Sequence, residues 1–193
     1  MNLNIQKTVT RFMNKLLPVR DMSSDEIHSA YSLLNKLESQ LIAALFEKEQ
    51  GNKEFWAKIA GGESYGDSVT LTINESLPSM KKLTASMQEY WLELIHSAIF
   101  KSNQGKNGQK LPYFDKAFVL IVIITPKYSD NSQLWDTSNR AINLIINNLK
   151  GIFFEDDNHK HMAFGVVGKW GESGQTIVKI MPYERLENMA NTR

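Results

Sequence analysis

The residues with the most chemical potential in this chain are carboxylates. Glu155-Asp156-Asp157 places three acids in a row directly after the apolar pair Phe153-Phe154, and Asp136 stands about one element upstream, where a helix would start. A strand end and a helix start can bring such acids together, and clustered carboxylate oxygens are what a hard Mg²⁺ or Mn²⁺ ion requires. A metal held that way activates water and neutralises charge on a phosphodiester in the transition state. The plain alternative is a loop of solvated acids. His159 and His161, at i and i+2, share one face of a strand, which allows a metal reading beside Asp157. Solvated surface histidines are the simpler account. Trp170 beside Gly171 could stack on an unpaired base, pack over a hairpin or line a dimer surface.

The surrounding elements must position these groups. Val69 to Ile73 alternates apolar and polar residues as a half-buried strand does. Leu77-Pro78 is a turn, and Leu83, Met87, Tyr90, Trp91, Leu94, Ala98 and Ile99 mark a helix. Lys101 to Lys110 is rich in Gly, Asn and Gln, holds Lys101, Lys106 and Lys110 and contains no acid, so it reads as a basic loop. Phe118 to Thr125 is β-branched and apolar on both faces, hence a central strand. A polar loop over Pro126 to Trp135 leads to a short helix from about Ser138 to Lys150, stopped by Gly151. Further strands are expected at Phe153-Phe154, Met162 to Lys169 and Thr176 to Met181, with Gly171-Glu-Ser-Gly174 as the hairpin turn joining the last two.

Upstream the period is helical. Ile5, Val9, Phe12, Met13 and Leu16 form one face of a helix over about 3–17, with Lys7, Arg11 and Lys15 opposite and Pro18 ending it. Ser23-Ser24-Asp25-Glu26 starts a second helix, with carboxylates where the macrodipole favours them. It runs to about Gln50, and Ile27, Tyr31, Leu34, Leu37, Leu41, Ala44 and Leu45 make a stripe close to a heptad seam. That stripe fits either a coiled coil or packing against the first helix. Gly51-Asn52 breaks the helix, Phe55 to Ile59 adds a turn or two, and Gly61-Gly62 ends the helical region. The expected organisation is a helical extension over 1–65, an α+β domain with a mixed sheet and packed helices over 66–184, and a tail over 185–193.

Composition narrows the function classes. The 193 residues carry 22 Lys and Arg against 21 Asp and Glu, a net charge of +1, which argues against a bulk electrostatic DNA coat. Any nucleic-acid contact must then come from local patches: residues 1–20 and 101–110 are basic, offset by acids at 25–49 and 155–157. At 42% hydrophobic and 22% charged residues, intrinsic disorder is excluded as the main state. The absence of cysteine excludes disulfides, thiolate catalysis, zinc ribbons and iron–sulfur clusters, and makes the cytoplasm the expected compartment. No apolar run reaches the ~18 residues needed to cross a bilayer, so no membrane partner is expected. The N-terminus lacks the continuous apolar segment of a secretory signal.

The order of parts is more specific than any one part. The chain reads as strand, turn with Pro, helix, basic loop, central strand and polar loop. Asp136-Thr-Ser-Asn139 then opens a short helix that ends in Leu149-Lys-Gly-Ile-Phe-Phe-Glu-Asp-Asp157. Val166-Val-Gly-Lys-Trp170 and Thr176-Ile-Val-Lys-Ile180 follow. Over residues 67–183 this layout resembles the RusA family of Holliday-junction resolvases. The resemblance implies a RusA-like α+β fold in a homodimer that binds four-way, branched DNA. It also implies symmetric cleavage using Mg²⁺, with Mn²⁺ as a substitute.

The family's motif is Asp-x-Asp-Asn-x-x-Lys-x-x-x-Asp on the short helix, followed by Asp-Asp. Two registers of this chain on that motif stay open. Counted back from Leu149 and Gly151, the motif's acids fall on Thr137, Asn139 and Asn147, and its Lys on Asn143. With a one-residue gap, Asp136 and Asn139 take the first Asp and the Asn, while Ser138 and Ile142 replace the second Asp and the Lys. In both registers the lysine is missing, at least one metal carboxylate is gone, and Asp156 and Asp157 remain. The resemblance therefore implies a metal site of Asp136, Asp156 and Asp157, with Asp157 and Asp136 catalytic. Arg140 or Lys150 would supply the positive charge near the scissile phosphate. Asn139, Asn143, Lys101, Lys106 and Lys110 would contact DNA. Asn139, Asn143 and Asn147, at i, i+4 and i+8, form one neutral polar stripe on the helix. The expectation is thus a Mg²⁺-dependent endonuclease with an altered or weakened site. The alternative is a non-catalytic homodimer of the same fold that binds DNA or protein.

Overall fold

Ten consecutive residues with almost no polar side chain, Ala117–Pro126, form the longest interior strand among the described residues. The structure is a computed structural model that describes residues 22–49, 52–104, 111–127 and 141–186. In chain order the elements are α1 (Ser24–Glu49), α2 (Lys53–Ile59), β1 (Ala60–Tyr65), β2 (Ser68–Ile73), α3 (Ala85–Gln104), β3 (Ala117–Pro126), α4 (Ile142–Leu149), β4 (Met162–Gly171) and β5 (Gln175–Pro182). The helix expected over 3–17 lies outside the described residues, as do Asp136, Thr137, Ser138, Asn139, Arg140, Lys106 and Lys110. No described helix is long and apolar enough to cross a membrane.

The fold is α+β, with one mixed five-stranded sheet in the order β1-β2-β5-β3-β4. β3 and β4 pair in parallel, whereas β1–β2, β2–β5 and β5–β3 are antiparallel. The register aligns Gly62 with Leu71, Leu71 with Val178 and Val178 with Ile121, so these four share a face. On that face Val69, Leu71, Ile73, Val119, Ile121, Val178 and Ile180 are all buried. α3 lies directly against it: a Cβ at Gly62 would run into the Ala98 carbonyl and the Ser102 backbone nitrogen. β2-α3-β3 and β3-α4-β4 are parallel crossovers that step the same way along the sheet, a pattern for which the right-handed rule expects both helices on one side. The alternation of β2, intermediate then buried throughout, follows from a strand with one covered face.

The chain falls into two compact units, one holding α1 together with residues 84–90, the other holding the sheet, α2, α4 and the rest of α3. In the first, Ser23 and Glu26 form a capping box. The Ser23 backbone N–H and hydroxyl donate to Glu26 Oε2 at 2.8 and 2.9 Å, and the Glu26 N–H donates back to Ser23 Oγ at 3.4 Å. Ile27, Leu34 and Leu41 of α1, at heptad spacing, are exposed.

Four expectations change. Ala60–Tyr65 is not the end of a helical region but strand β1, paired with β2 along its length. α3 runs on to Gln104, so Lys101 sits on a helix and not in a loop. Phe153-Phe154 is no strand: residues 150–154 form a turn closed by one isolated bridge, Lys150 to Phe154. Finally, Gly171-Glu-Ser-Gly174 does not make a hairpin. β4 and β5 are not neighbours, because β3 lies between them and residues 172–174 stride across its end. Glycine at 171 and 174 allows that close passage, since a Cβ would strike the Ile124 side chain at one and approach Ser76 Oγ to 2.8 Å at the other.

Candidate functional site

α4 supplies the frame. Its Ile145, Ile146 and Leu149 are buried, and Asn143 and Asn147, one turn apart on the other side, are exposed. Of the asparagine stripe, Asn143 and Asn147 therefore face solvent as the helical period requires. Its N-terminal end is tied down where the Ala141 N–H donates to the Pro78 carbonyl at 3.0 Å.

The C-terminal end decides where the acids go. Lys150 has left the helix, with φ −60° and ψ 137°. Gly151 follows at φ +76°, a left-handed conformation that costs a residue without Cβ little. The turn is held by the Gly151 N–H donating to the Phe154 carbonyl at 2.7 Å and the Phe153 N–H donating to the Leu149 carbonyl at 3.0 Å. Phe153 and Phe154 are fully buried, and the Phe114 N–H donates to the Phe153 carbonyl at 2.8 Å. The burial that made this pair look like a strand instead anchors a turn, and residues 155–157 emerge from it at the surface.

There the three acids part. Asp156 Oδ1 and Asp157 Oδ1 lie 3.0 and 3.5 Å from Lys150 Nζ. Asn158 Nδ2 donates to the second oxygen of Asp156 at 2.8 Å. Glu155 turns to a different partner, its Oε2 lying 3.4 Å from His161 Nε2. The hydrogen bond from Lys150 does most to hold the Asp156 carboxyl well below the usual carboxylate range, followed by those from Asn158 and the Asp157 backbone N–H. The same hydrogen bond and the two carboxylate charges push Lys150 up. Asp156 is thereby favoured as the carboxylate and Lys150 as the ammonium, both in a solvent-accessible setting.

The structure thus brings together Asp156, Asp157 and Lys150 of the expected site. Asp136, Asn139 and Arg140 lie outside the described residues. His159 and His161 do not share a strand face: residues 158–161 form a turn that the His161 N–H closes onto the Asn158 carbonyl at 3.1 Å. The other ring nitrogen of His161, Nδ1, lies 3.4 Å from the Asp115 carbonyl oxygen, beside a cleft of about 360 Å³. Among the described residues no three His, Cys, Asp or Glu side chains converge as metal ligands. Lys101 is half-buried on α3 and lines a cleft of about 630 Å³ with Glu54, Trp56 and Phe100. Trp170 is exposed on β4.

Sequence reasoning offers Lys150 only beside Arg140, because a helix-face argument points it away from the acids. The signal that corrects this is its place just before Gly151. A residue at the C-cap is no longer bound to a helical face. No protein-family model, no curated protein and no solved structure matches the chain.

Proposed function

We propose that this protein is a RusA-like DNA-processing homodimer of the cytoplasm, a Mg²⁺-dependent endonuclease on branched DNA whose site is altered. The observation that supports it is the meeting of Lys150 with Asp156 and Asp157 at the turn after α4. The motif lysine is missing from α4, and Lys150 brings an ammonium to the acid pair from another position. The two described acids offer the oxygen donors a hard cation takes, in a solvent-accessible place, and Asp156 is favoured as the carboxylate; the third acid of this reading, Asp136, lies outside the described residues. When bound, Mg²⁺ or Mn²⁺ would activate water and neutralise charge on the phosphodiester.

In this reading Asp156 and Asp157 hold the ion, with Asp136 as the third acid. Lys150 would exchange its carboxylate contacts for a phosphate oxygen and so hold the DNA backbone at the acid pair. Asn143 and Asn147 offer neutral hydrogen-bonding groups along α4. Contacts of this kind give affinity without sequence choice and weaken steeply with salt.

A second reading has its own observation. An ammonium already occupies one oxygen of each of Asp156 and Asp157, and the exposed Asn143 and Asn147 on α4 are uncharged, which favours a protein that binds without hydrolysis. One experiment separates them: the purified chain with a labelled four-way junction and Mg²⁺ or Mn²⁺, beside Asp157→Asn. Cleavage by the parent and none by the variant supports the enzyme. Salt-sensitive binding without cleavage supports the binding protein, and the absence of both cleavage and binding would overturn DNA as the partner.

A further inference from the structure

β4 closes one side of the sheet, and among the described residues no strand pairs with its outer edge. Natural edge strands are usually blunted by charge, proline or a bulge, because their free N–H and C=O groups invite another strand. Of these guards β4 carries only one charge. It pairs with β3 over ten residues without a bulge and contains no proline and a single charge, Lys169. It also exposes Phe164 by 50%, Val167 by 39% and Trp170 by 43%.

We propose that this edge pairs with the same edge of a second copy of the chain. The two strands run antiparallel about a two-fold axis through Val167, joining two five-stranded sheets into one. An axis normal to the sheet keeps each face continuous, so residues that meet must share a face. With the axis at Val167, Phe164 lies opposite the partner's Trp170, and Val167 opposite the partner's Val167. Lys169 lies opposite the partner's Gly165. Aromatic and β-branched cross-strand pairs are favourable, and in this register no like charges meet. At the end of the ladder Glu172 comes beside the segment carrying the partner's Lys160. Centring the axis on Val166 instead sets Phe164 opposite a glycine and leaves no aromatic pair. The register at Val167 is the one that gives every exposed apolar side chain of β4 a partner.

The inference shares with the proposed function only the expectation of two copies, and mass and nuclease activity are read separately, so either can fail alone. The full chain should sediment at twice its 22.0 kDa mass. Val167→Lys places like charges on the axis and should weaken dimerisation about tenfold or more. Leu34→Lys on the exposed stripe of α1 should leave it unchanged. The natural chain has no cysteine, so Val167→Cys carries the only thiol. Oxidised glutathione should convert this variant to a covalent dimer, and should leave Tyr65→Cys, on the opposite edge strand, unlinked. Circular dichroism checks the fold of each variant, and the thiol result stands even if Val167→Lys fails to fold. A monomeric parent overturns the proposal. So does a dimer dissolved by Leu34→Lys, or one that Val167→Cys does not link.

Discussion

The ammonium of Lys150 lies 3.0 Å from the Asp156 carboxylate, across a turn that begins where α4 ends. The contact exists because Lys150 is extended while Leu149 is still helical. One cation, placed by a cap and not by a helix face, therefore reaches both acids and is the main cause that lowers Asp156.

Replacing Lys150 by Met removes the donor that contributes most to holding Asp156 low. Its carboxyl should then titrate nearer the ordinary value of 3.8, read from the ¹³C carboxyl shift against pH. A depressed folded pKa means that the pairing stabilises the parent above the ordinary carboxylate pKa and is lost as pH falls through the folded value. Parent and Lys150→Met should therefore differ in denaturation midpoint near neutrality and converge in strong acid. An Asp156 titration unmoved by the substitution would assign its low value to Asn158 and the backbone instead.

The same substitution tests competition with metal. Without the ammonium, Mn²⁺ should bind the acid pair about fivefold more tightly, the scale of one unit charge at this distance in a solvated setting. Paramagnetic broadening of the Asp156 and Asp157 resonances measures it. Asp157→Asn should bind more weakly than the parent. Equal binding by parent and Lys150→Met would show that ammonium and ion do not share these carboxylates.

Gly62 and Gly61 are neighbours with opposite tolerances. A Cβ at Gly62 meets α3 backbone, so Gly62→Ala should cost about 1–3 kcal/mol in urea denaturation. At Gly61 the nearest atom to a Cβ is the Thr72 carbonyl oxygen at 3.9 Å, and Gly61→Ala should stay within about 0.5 kcal/mol of the parent. Equal effects would mean that α3 does not rest on β1 at this point.

Phe153 anchors the turn that presents the acids. Phe153→Ala should destabilise by about 3–5 kcal/mol and return Asp156 towards ordinary titration, because the turn joining Lys150 to the acids loses its buried support. Ile152→Ala, at the exposed position beside it, should change stability little.

How far the sequence can be read depends on where the determining contact lies. β2, β3 and β5 are legible because one covered face writes an alternation into Val69–Ile73 and Thr176–Ile180, and a central place writes an apolar run into β3. α1 and α4 are legible from the Ser23–Glu26 box and from Gly151. β1 is not, since Ala-Gly-Gly-Glu-Ser-Tyr has no β-branched residue and owes its pairing to β2 and its glycine at 62 to α3. Phe153-Phe154 misleads because full burial looks alike in a strand and in an anchored turn. The link from β4 to β5 misleads because a short glycine-flanked loop implies a hairpin unless another strand already fills the gap. In the site, the Asp pair is readable from spacing alone. Its cation is not, because that depends on where α4 stops.

The position of β5 orders the birth of the sheet. Of the described strands it is synthesised last, yet it lies between β2 and β3, so the other four leave the ribosome before the piece that unites them. Until residues 175–182 arrive, the chain holds only the β1–β2 and β3–β4 pairs, and isolated two-stranded units are marginal in water. A nascent chain halted before Gln175 lacks the strand that joins the two pairs, so completion of the sheet waits for this segment.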